Sequence, residues 1–433
     1  MAAGGFVSPP PTDPKNQRAD AKDPMPAKDL RRMSPPSDSG ETSPADRSPL
    51  CYNIPFPSGA GLMDVESLIS RRSAAVEISG IRKVFELARA LKNPINLSIG
   101  QPHFDTPEPI KKAAQDAIAA GKNAYTLTQG APEFRERLLA DVKAKYGHAD
   151  RDVIVTSGTS GGLMLAILAV INPGDEVVTP DPYFVMYPNM VELADGKLVT
   201  VDTFPTKFKL DPDRVIAACT PRTKIILLCS PANPTGCLIE PEAMNAVAEF
   251  AAKRGILLIS DEIYSAFCYD GPARSPAEWN ENVLVVEGFG KTYSMTGWRL
   301  GYAHGPARLI EEMKKLQQST FICAPSMAQF GGLAALDYDM SGYIADYKRK
   351  RDTLVAGLKD LYEFTPPGGA FYLFPKAPWG TGTEFVAEAI ANNLLVIPST
   401  TFSHQDTHFR ISYAATDETL AKGIEVLRRI ARR

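Results

Sequence analysis

The stretch NVLVVEGFGKTYSMTGWRLGY, residues 282–302, sets an uninterrupted apolar run against a glycine-rich turn that carries two cations, Lys291 and Arg299. A short apolar run closed by glycine reads as a strand buried on both faces. Four other segments have the same form: DVIVTSG (152–158), DEVVTP (175–180), KIILLCSP (224–231) and GILLISDE (255–262). Amphipathic segments such as EPIKKAAQDAIAAG (108–121) and PEFRERLLADVKAKYG (132–147) read as helices. Strands apolar on both faces that alternate with helices imply a mainly parallel sheet covered on both sides. Ligands of such sheets gather at the carboxyl ends of the strands. A lysine at that position is costly unless its charge is paired or its amine is in use. The ordinary alternative is that Lys291 reaches water along its stem and Arg299 pairs with a surface carboxylate.

The chain has 433 residues, 44% hydrophobic and 22% charged, which suits a soluble globular protein with room for more than one core. A formal net charge of −3 provides no basic field for nucleic acid or anionic membranes, so a small-molecule partner is expected. The six cysteines, at 51, 219, 229, 237, 268 and 323, form no Cys-x-x-Cys pair and read as free thiols in a reducing compartment. The longest apolar run, LMLAILAVI (163–171), is too short to span a bilayer, and the first residues lack the pattern of a secretory signal. A cytoplasmic location is expected.

Of the 36 prolines, 12 precede residue 60, amid Ser, Asp, Lys and Arg. Residues 1–62 are therefore expected to form a disordered tail. An arm (63–107), a large α/β domain (108–328) and a smaller one (329–433) are expected to follow. The smaller unit is read from GAFYLFP (369–375), LLVIPS (394–399), FRISYAA (409–415) and the closing helix LAKGIEVLRRIARR (420–433).

Chemistry-bearing residues follow the strands. VTSGTSGG (155–162) leads into a helix expected to open at Ser160, where free backbone N–H groups suit a phosphate. CSPANPTG (229–236) places Asn233 between prolines, and LISDEIY (258–264) ends a strand on Asp261 with Tyr264 beyond it. Singly these are a plain connection, a rigid turn and a helix cap. Together they converge on one crevice holding a phosphate cradle, an acid, a phenol, an amine and a guanidinium, which match the functional groups of pyridoxal phosphate.

With LSIGQPHFDTP (97–107), YTLTQGAPEFRERL (125–138), SPANPTG, SDEIY, GKTYSMTGWRLGY, GGAFYLFP and FRISYA in this order, the chain resembles the aspartate/aromatic branch of the class I and II aminotransferases. These are fold-type I enzymes dependent on pyridoxal 5'-phosphate. The resemblance covers roughly Val65 to the C-terminus. It implies that Lys291 forms the Schiff base and carries the proton, Arg299 clamps the phosphate with Thr159 and Ser160, and Asp261 faces the pyridine nitrogen. It implies further that Tyr264 and Asn233 bond the phenolate oxygen, Phe184 stacks on the ring, and Arg410, with Asn233 and the Gly100 backbone, holds the substrate carboxylate. Tyr125 resembles a tyrosine that serves the neighbouring subunit's cofactor, which implies a homodimer. Transamination between an L-amino acid and a 2-oxo acid, with 2-oxoglutarate foremost, is the activity expected.

Some positions depart from the family pattern. Gly290 stands where many relatives carry serine, implying one phosphate hydrogen bond fewer. Gln101, His103 and Ser399 alter the substrate-side loops. Ser160 occupies a position where some aspartate-preferring relatives carry lysine. A lyase on the same fold, either β-eliminating or cyclopropane-forming, would use the same lysine, aspartate and arginine. A transcription regulator would need a DNA-binding domain for which residues 1–62 offer no candidate. His404, Asp406 and His408 read as polar loop residues, and no metal is expected.

Overall fold

The computed structural model describes residues 64–76 and 91–432. The expected tail, Cys51 and part of the expected arm lie outside the described residues. Among the described residues there are twelve strands: β1 (Ile95–Asn96), β2 (Arg151–Ser157), β3 (Glu176–Asp181), β4 (Lys197–Asp202), β5 (Thr223–Cys229), β6 (Leu257–Asp261), β7 (Leu284–Gly288), β8 (Leu300–Pro306), β9 (Tyr372–Leu373), β10 (Leu394–Leu395), β11 (Ile397–Pro398) and β12 (Phe409–Ser412).

The central sheet has the order β2-β8-β7-β6-β5-β3-β4. Every pairing is parallel except the two made by β8, which runs antiparallel to both β2 and β7. This is the expected α/β architecture with a mixed, mainly parallel sheet. Reversal of β8 has a consequence for the site, because its amino end at Leu300 pairs with Ser157 at the carboxyl end of β2. Residues before β8 thus share an edge with residues after β2, β5, β6 and β7.

Both faces of the sheet are covered, as the apolar runs require. Ile225 and Leu227 pack with Leu163, Ile167 and Ile310 on one side, while Ile226 and Leu228 pack with Val215, Val247 and Ala251 on the other. Burying each such valine, leucine or isoleucine side chain contributes about 1.5–3 kcal/mol. The helices Pro132–Tyr146 and Pro241–Arg254 end at Gly147 and Gly255, both in the left-handed conformation that releases the chain toward the next strand.

A second core is built on the antiparallel trio β11-β12-β9 and on the pair β1–β10. Tyr347, Leu354, Phe371, Phe385, Phe409 and Leu427 fill it. The helix Gly382–Ala391 starts at a reciprocal cap between Thr381 and Glu384. Strand β1 lies far earlier in sequence than its partner, pairing Ile95 with Leu394. It thereby carries the segment toward Gly100 into the same neighbourhood as Arg410 on β12.

Candidate active site

Six segments meet at the carboxyl edge of the central sheet around a cavity of about 250 Å³. The cavity is lined by Thr159 and Ser160 after β2, Phe184 after β3, Asn233 after β5, Asp261 and Tyr264 at the end of β6, Lys291 after β7 and Arg299 before β8, joined by Gly100 and Arg410. Ten of the eleven residues singled out in the sequence therefore face one space. The eleventh, Tyr125, does not line it and is 80% exposed.

The helix after β2 runs from Gly158 to Val170, opening two residues earlier than the sequence reading placed it. Gly158 has φ +68, which only glycine adopts without strain, and an added Cβ would stand 2.6 Å from the Arg299 guanidinium. The start of this helix has no side-chain cap. Its first N–H groups and Arg299 thus form a cradle suited to an anion.

Asp261 is 3% exposed. It accepts a hydrogen bond of 2.8 Å from the Tyr187 hydroxyl and one of 3.3 Å from the Ile263 amide. Burial outweighs these bonds and pushes its carboxyl up to about 6. Lys291 is treated in the opposite sense. Burial, reinforced by Arg410 and Arg299, lowers its amine to about 8, with Asp261 pulling weakly upward. Its Nζ donates to the Gly100 carbonyl at 2.5 Å. A buried acid and a partly buried amine, each displaced toward neutrality, mark a site prepared for a charged and reactive guest.

Arg410 is 1% exposed and lies between two aromatic rings, with the guanidinium 4.5 Å from the Tyr372 centroid and 4.7 Å from that of Phe402. It donates to Asn233 Oδ1 at 2.9 Å and to the Ser98 carbonyl at 2.7 Å. Its buried Nε has no partner. A fork with two arms anchored and a donor unspent fits a carboxylate. Because Asn233 spends its oxygen on Arg410, its amide nitrogen remains available as a donor.

Three contributors escaped the sequence reading. Tyr187 holds Asp261, Tyr372 bonds Tyr264 through the two hydroxyls at 2.7 Å, and Cys229 lines the cavity with a thiol that burial raises far above its ordinary range. Pairing of Cys229 with Asp261 between β5 and β6 follows from register, which a single sequence does not display.

The unusual loop residues have structural duties. Ser399 Oγ donates to the Gln405 carbonyl at 2.6 Å and accepts from the amides of Thr407 and His408. The His103 ring bridges Tyr347 and Lys350. His408 stacks on Phe374, Asp406 accepts from the Thr383 amide, and His404 meets Tyr183 edge-on. Among the described residues no group of three acidic, histidine or cysteine side chains is placed to hold a metal. No helix there is long and apolar enough to cross a membrane.

An α/β fold with a partly buried lysine and a buried aspartate lining one cavity at the strand ends, with an arginine fork on the same cavity, defines a class of enzymes acting on amino acids. Residues 92–427 match the model of the family described as aminotransferase class I and II, and the chain belongs to that family. It is 37% identical over 376 residues to a probable aspartate aminotransferase of Methanocaldococcus jannaschii, covering 84% of this chain and all of the relative. It is also 37% identical over 379 residues to the aspartate/prephenate aminotransferase of Thermus thermophilus, covering 84% and 98%. The solved structure of Thermus thermophilus aspartate aminotransferase with maleate superimposes with a TM-score of 0.79 at 35% identity, over 84% of this chain and 99% of that one. The chain is an aminotransferase and moves an amino group between an amino acid and a 2-oxo acid.

Proposed function

We propose that the cavity binds pyridoxal 5'-phosphate and that the enzyme passes the amino group of a neutral or aromatic L-amino acid to 2-oxoglutarate. The observation that carries this reading is that Lys291 and Asp261 line one cavity beside an uncapped helix start, each displaced toward neutrality. When bound, the cofactor supplies an aldehyde to take the amino group and a ring to take up the electron pair of the substrate's Cα–H bond. The residues present fit it. Arg299, Thr159, Ser160 and the free N–H groups would hold the phosphate, and Asp261 would keep the ring nitrogen protonated. Tyr264 and the Asn233 amide would donate to the phenolate oxygen, with Phe184 against the ring.

Arg410 and the Gly100 backbone orient the substrate by its carboxylate, so that the Cα–H bond is presented to Lys291. With an amine lowered to about 8, Lys291 exchanges a proton near neutral pH far more readily than an ordinary lysine. Incubation of the purified enzyme with a panel of donors and 2-oxoglutarate tests the reading. Formation of glutamate and the matching 2-oxo acid supports it, whereas release of ammonia alone overturns it in favour of a lyase.

Donor choice follows from the lining. Among the described residues around the cavity the cations are Lys291, Arg299 and Arg410, and the phosphate-loop position where a lysine would meet a distal carboxylate holds Ser160. Aromatic or aliphatic donors are expected to exceed aspartate in kcat/KM, although the relatives above are named for aspartate. Aspartate leading the panel would show that a cation from elsewhere enters the site.

At Gly290 an added Cβ would meet nothing closer than 3.5 Å, so a side chain fits there. Gly290→Ser is expected to tighten cofactor binding about fivefold, roughly 1 kcal/mol for one added hydrogen bond. Fluorescence titration of the cofactor-free enzyme reads this, and an unchanged Kd would place the phosphate away from Gly290.

We further propose a cytoplasmic homodimer in which Tyr125 completes the partner's site. The division into a tail (1–62), an arm (63–107), a cofactor-binding domain (108–328) and a small domain (329–433) is part of the same proposal. Tyr125 and Leu127 are exposed apolar residues on one short segment, which supports an interface there. Light scattering of the holoenzyme is expected to show a dimer, and Tyr125→Phe to weaken cofactor retention. A fully active monomer would contradict both.

A further inference from the structure

The Tyr372 phenol touches three working parts of the site at once. Its hydroxyl lies 2.7 Å from that of Tyr264, and the two rings meet nearly perpendicular, at 84°. Its ring face covers the Arg410 guanidinium. Its hydroxyl also stands 2.4 Å from where a Cβ on Gly100 would be, so the bare backbone of Gly100 is what admits it. Both phenols are buried, Tyr372 at 1% and Tyr264 at 3% exposure.

Resting on the transaminase reading above, we propose that Tyr372 is a positioning residue. Its hydroxyl donates to Tyr264 and so frees the Tyr264 proton for the cofactor's phenolate oxygen, while its ring holds Arg410 in place for the substrate carboxylate. The direction of donation follows from counting protons. Each phenol has one. If the proton of Tyr264 points at the cofactor, the proton in the contact between the two hydroxyls belongs to Tyr372. A bond received by Tyr264 polarises its own O–H and strengthens what it donates. The titratable and charged groups that face the two phenols are Arg410 and Cys229, with Lys291 and Asp261 on the same cavity, and none of them replaces the lost donor.

Two variants separate the two roles in the holoenzyme. Tyr372→Phe keeps the ring over Arg410 and removes the hydroxyl. Weaker donation from Tyr264 leaves the phenolate oxygen more basic, so the pH midpoint of the bound cofactor's visible absorbance is expected to rise by about 0.3–0.5 unit. KM for the amino donor should hardly change. Tyr372→Leu removes hydroxyl and ring together, and is expected to show the same rise together with a KM increase of about 30-fold, as for a desolvated cation–π contact of about 2 kcal/mol. Melting temperature and cofactor stoichiometry, measured on each variant, show that the fold is intact. A Phe variant with the wild-type midpoint overturns the role of the hydroxyl, and a Leu variant with wild-type KM overturns that of the ring. A wild-type enzyme without a pH-dependent cofactor band would instead remove the pyridoxal phosphate reading, and this proposal with it.

Discussion

Lys291→Ala is expected to lower transamination by at least about 10⁴-fold, the upper range for loss of a positioned proton carrier, while making the cofactor-free protein more stable at pH 7. The second effect follows from linkage. Burial lowers the amine from 10.5 to about 8, so between these values the unfolded chain holds a proton that the folded one lacks. Stability of the cofactor-free protein therefore rises as pH climbs from about 8 toward 10.5, and is lost again as pH falls through 8. At neutral pH the folded protein bears a charged lysine in a poorly hydrated space, at a cost on the order of 2–3 kcal/mol. Alanine removes that cost. Thermal melts of the two cofactor-free proteins, beside activity and borohydride trapping with peptide mapping, check both parts. Trapped cofactor on another lysine, or near-normal turnover in the variant, would overturn the assignment.

Arg410→Lys is the second large effect expected. The lysine ammonium cannot reproduce the planar fork, so the substrate carboxylate loses one of two parallel charged bonds. At about 1.5–3 kcal/mol for such a bond, KM for the donor should rise about 10- to 150-fold. Folding stability should fall as well, because either Asn233 Oδ1 or the Ser98 carbonyl would lose its buried donor. The visible absorbance of bound cofactor should change far less than the donor KM, since Arg410 reaches the phenolate oxygen only through Asn233. Unaltered donor kinetics would mean that another group grips the carboxylate.

Much of this architecture is legible in one sequence because the central strands are apolar on both faces, as KIILLCSP and GILLISDE are. Strands β4 and β8 are less legible. KLVTVD is a half-exposed edge strand, and LGYAHGP carries two glycines, a histidine and a proline, so neither offers a continuous apolar run. Cavity-lining residues were found where charge or an unusual turn stood out against an apolar background, as with Lys291 and Asp261. Tyr187 and Tyr372 were missed for the converse reason. Within YPNMVEL and GAFYLFP a tyrosine looks like core, and only the tertiary arrangement shows where its hydroxyl goes.

The bonds that define the site join residues far apart in the chain: Lys291 and Gly100 are separated by 191 positions, Arg410 and Ser98 by 312. Closing loops of that length costs entropy that is recovered only when the last partner docks, which slows assembly. A ribosome-bound chain can complete the central sheet before Arg410 has been made, yet the carboxylate grip waits for the final strand. Tight, productive substrate capture is therefore a late event in biogenesis, and the half-built enzyme is spared from exposing a reactive amine to passing amino acids in a competent geometry.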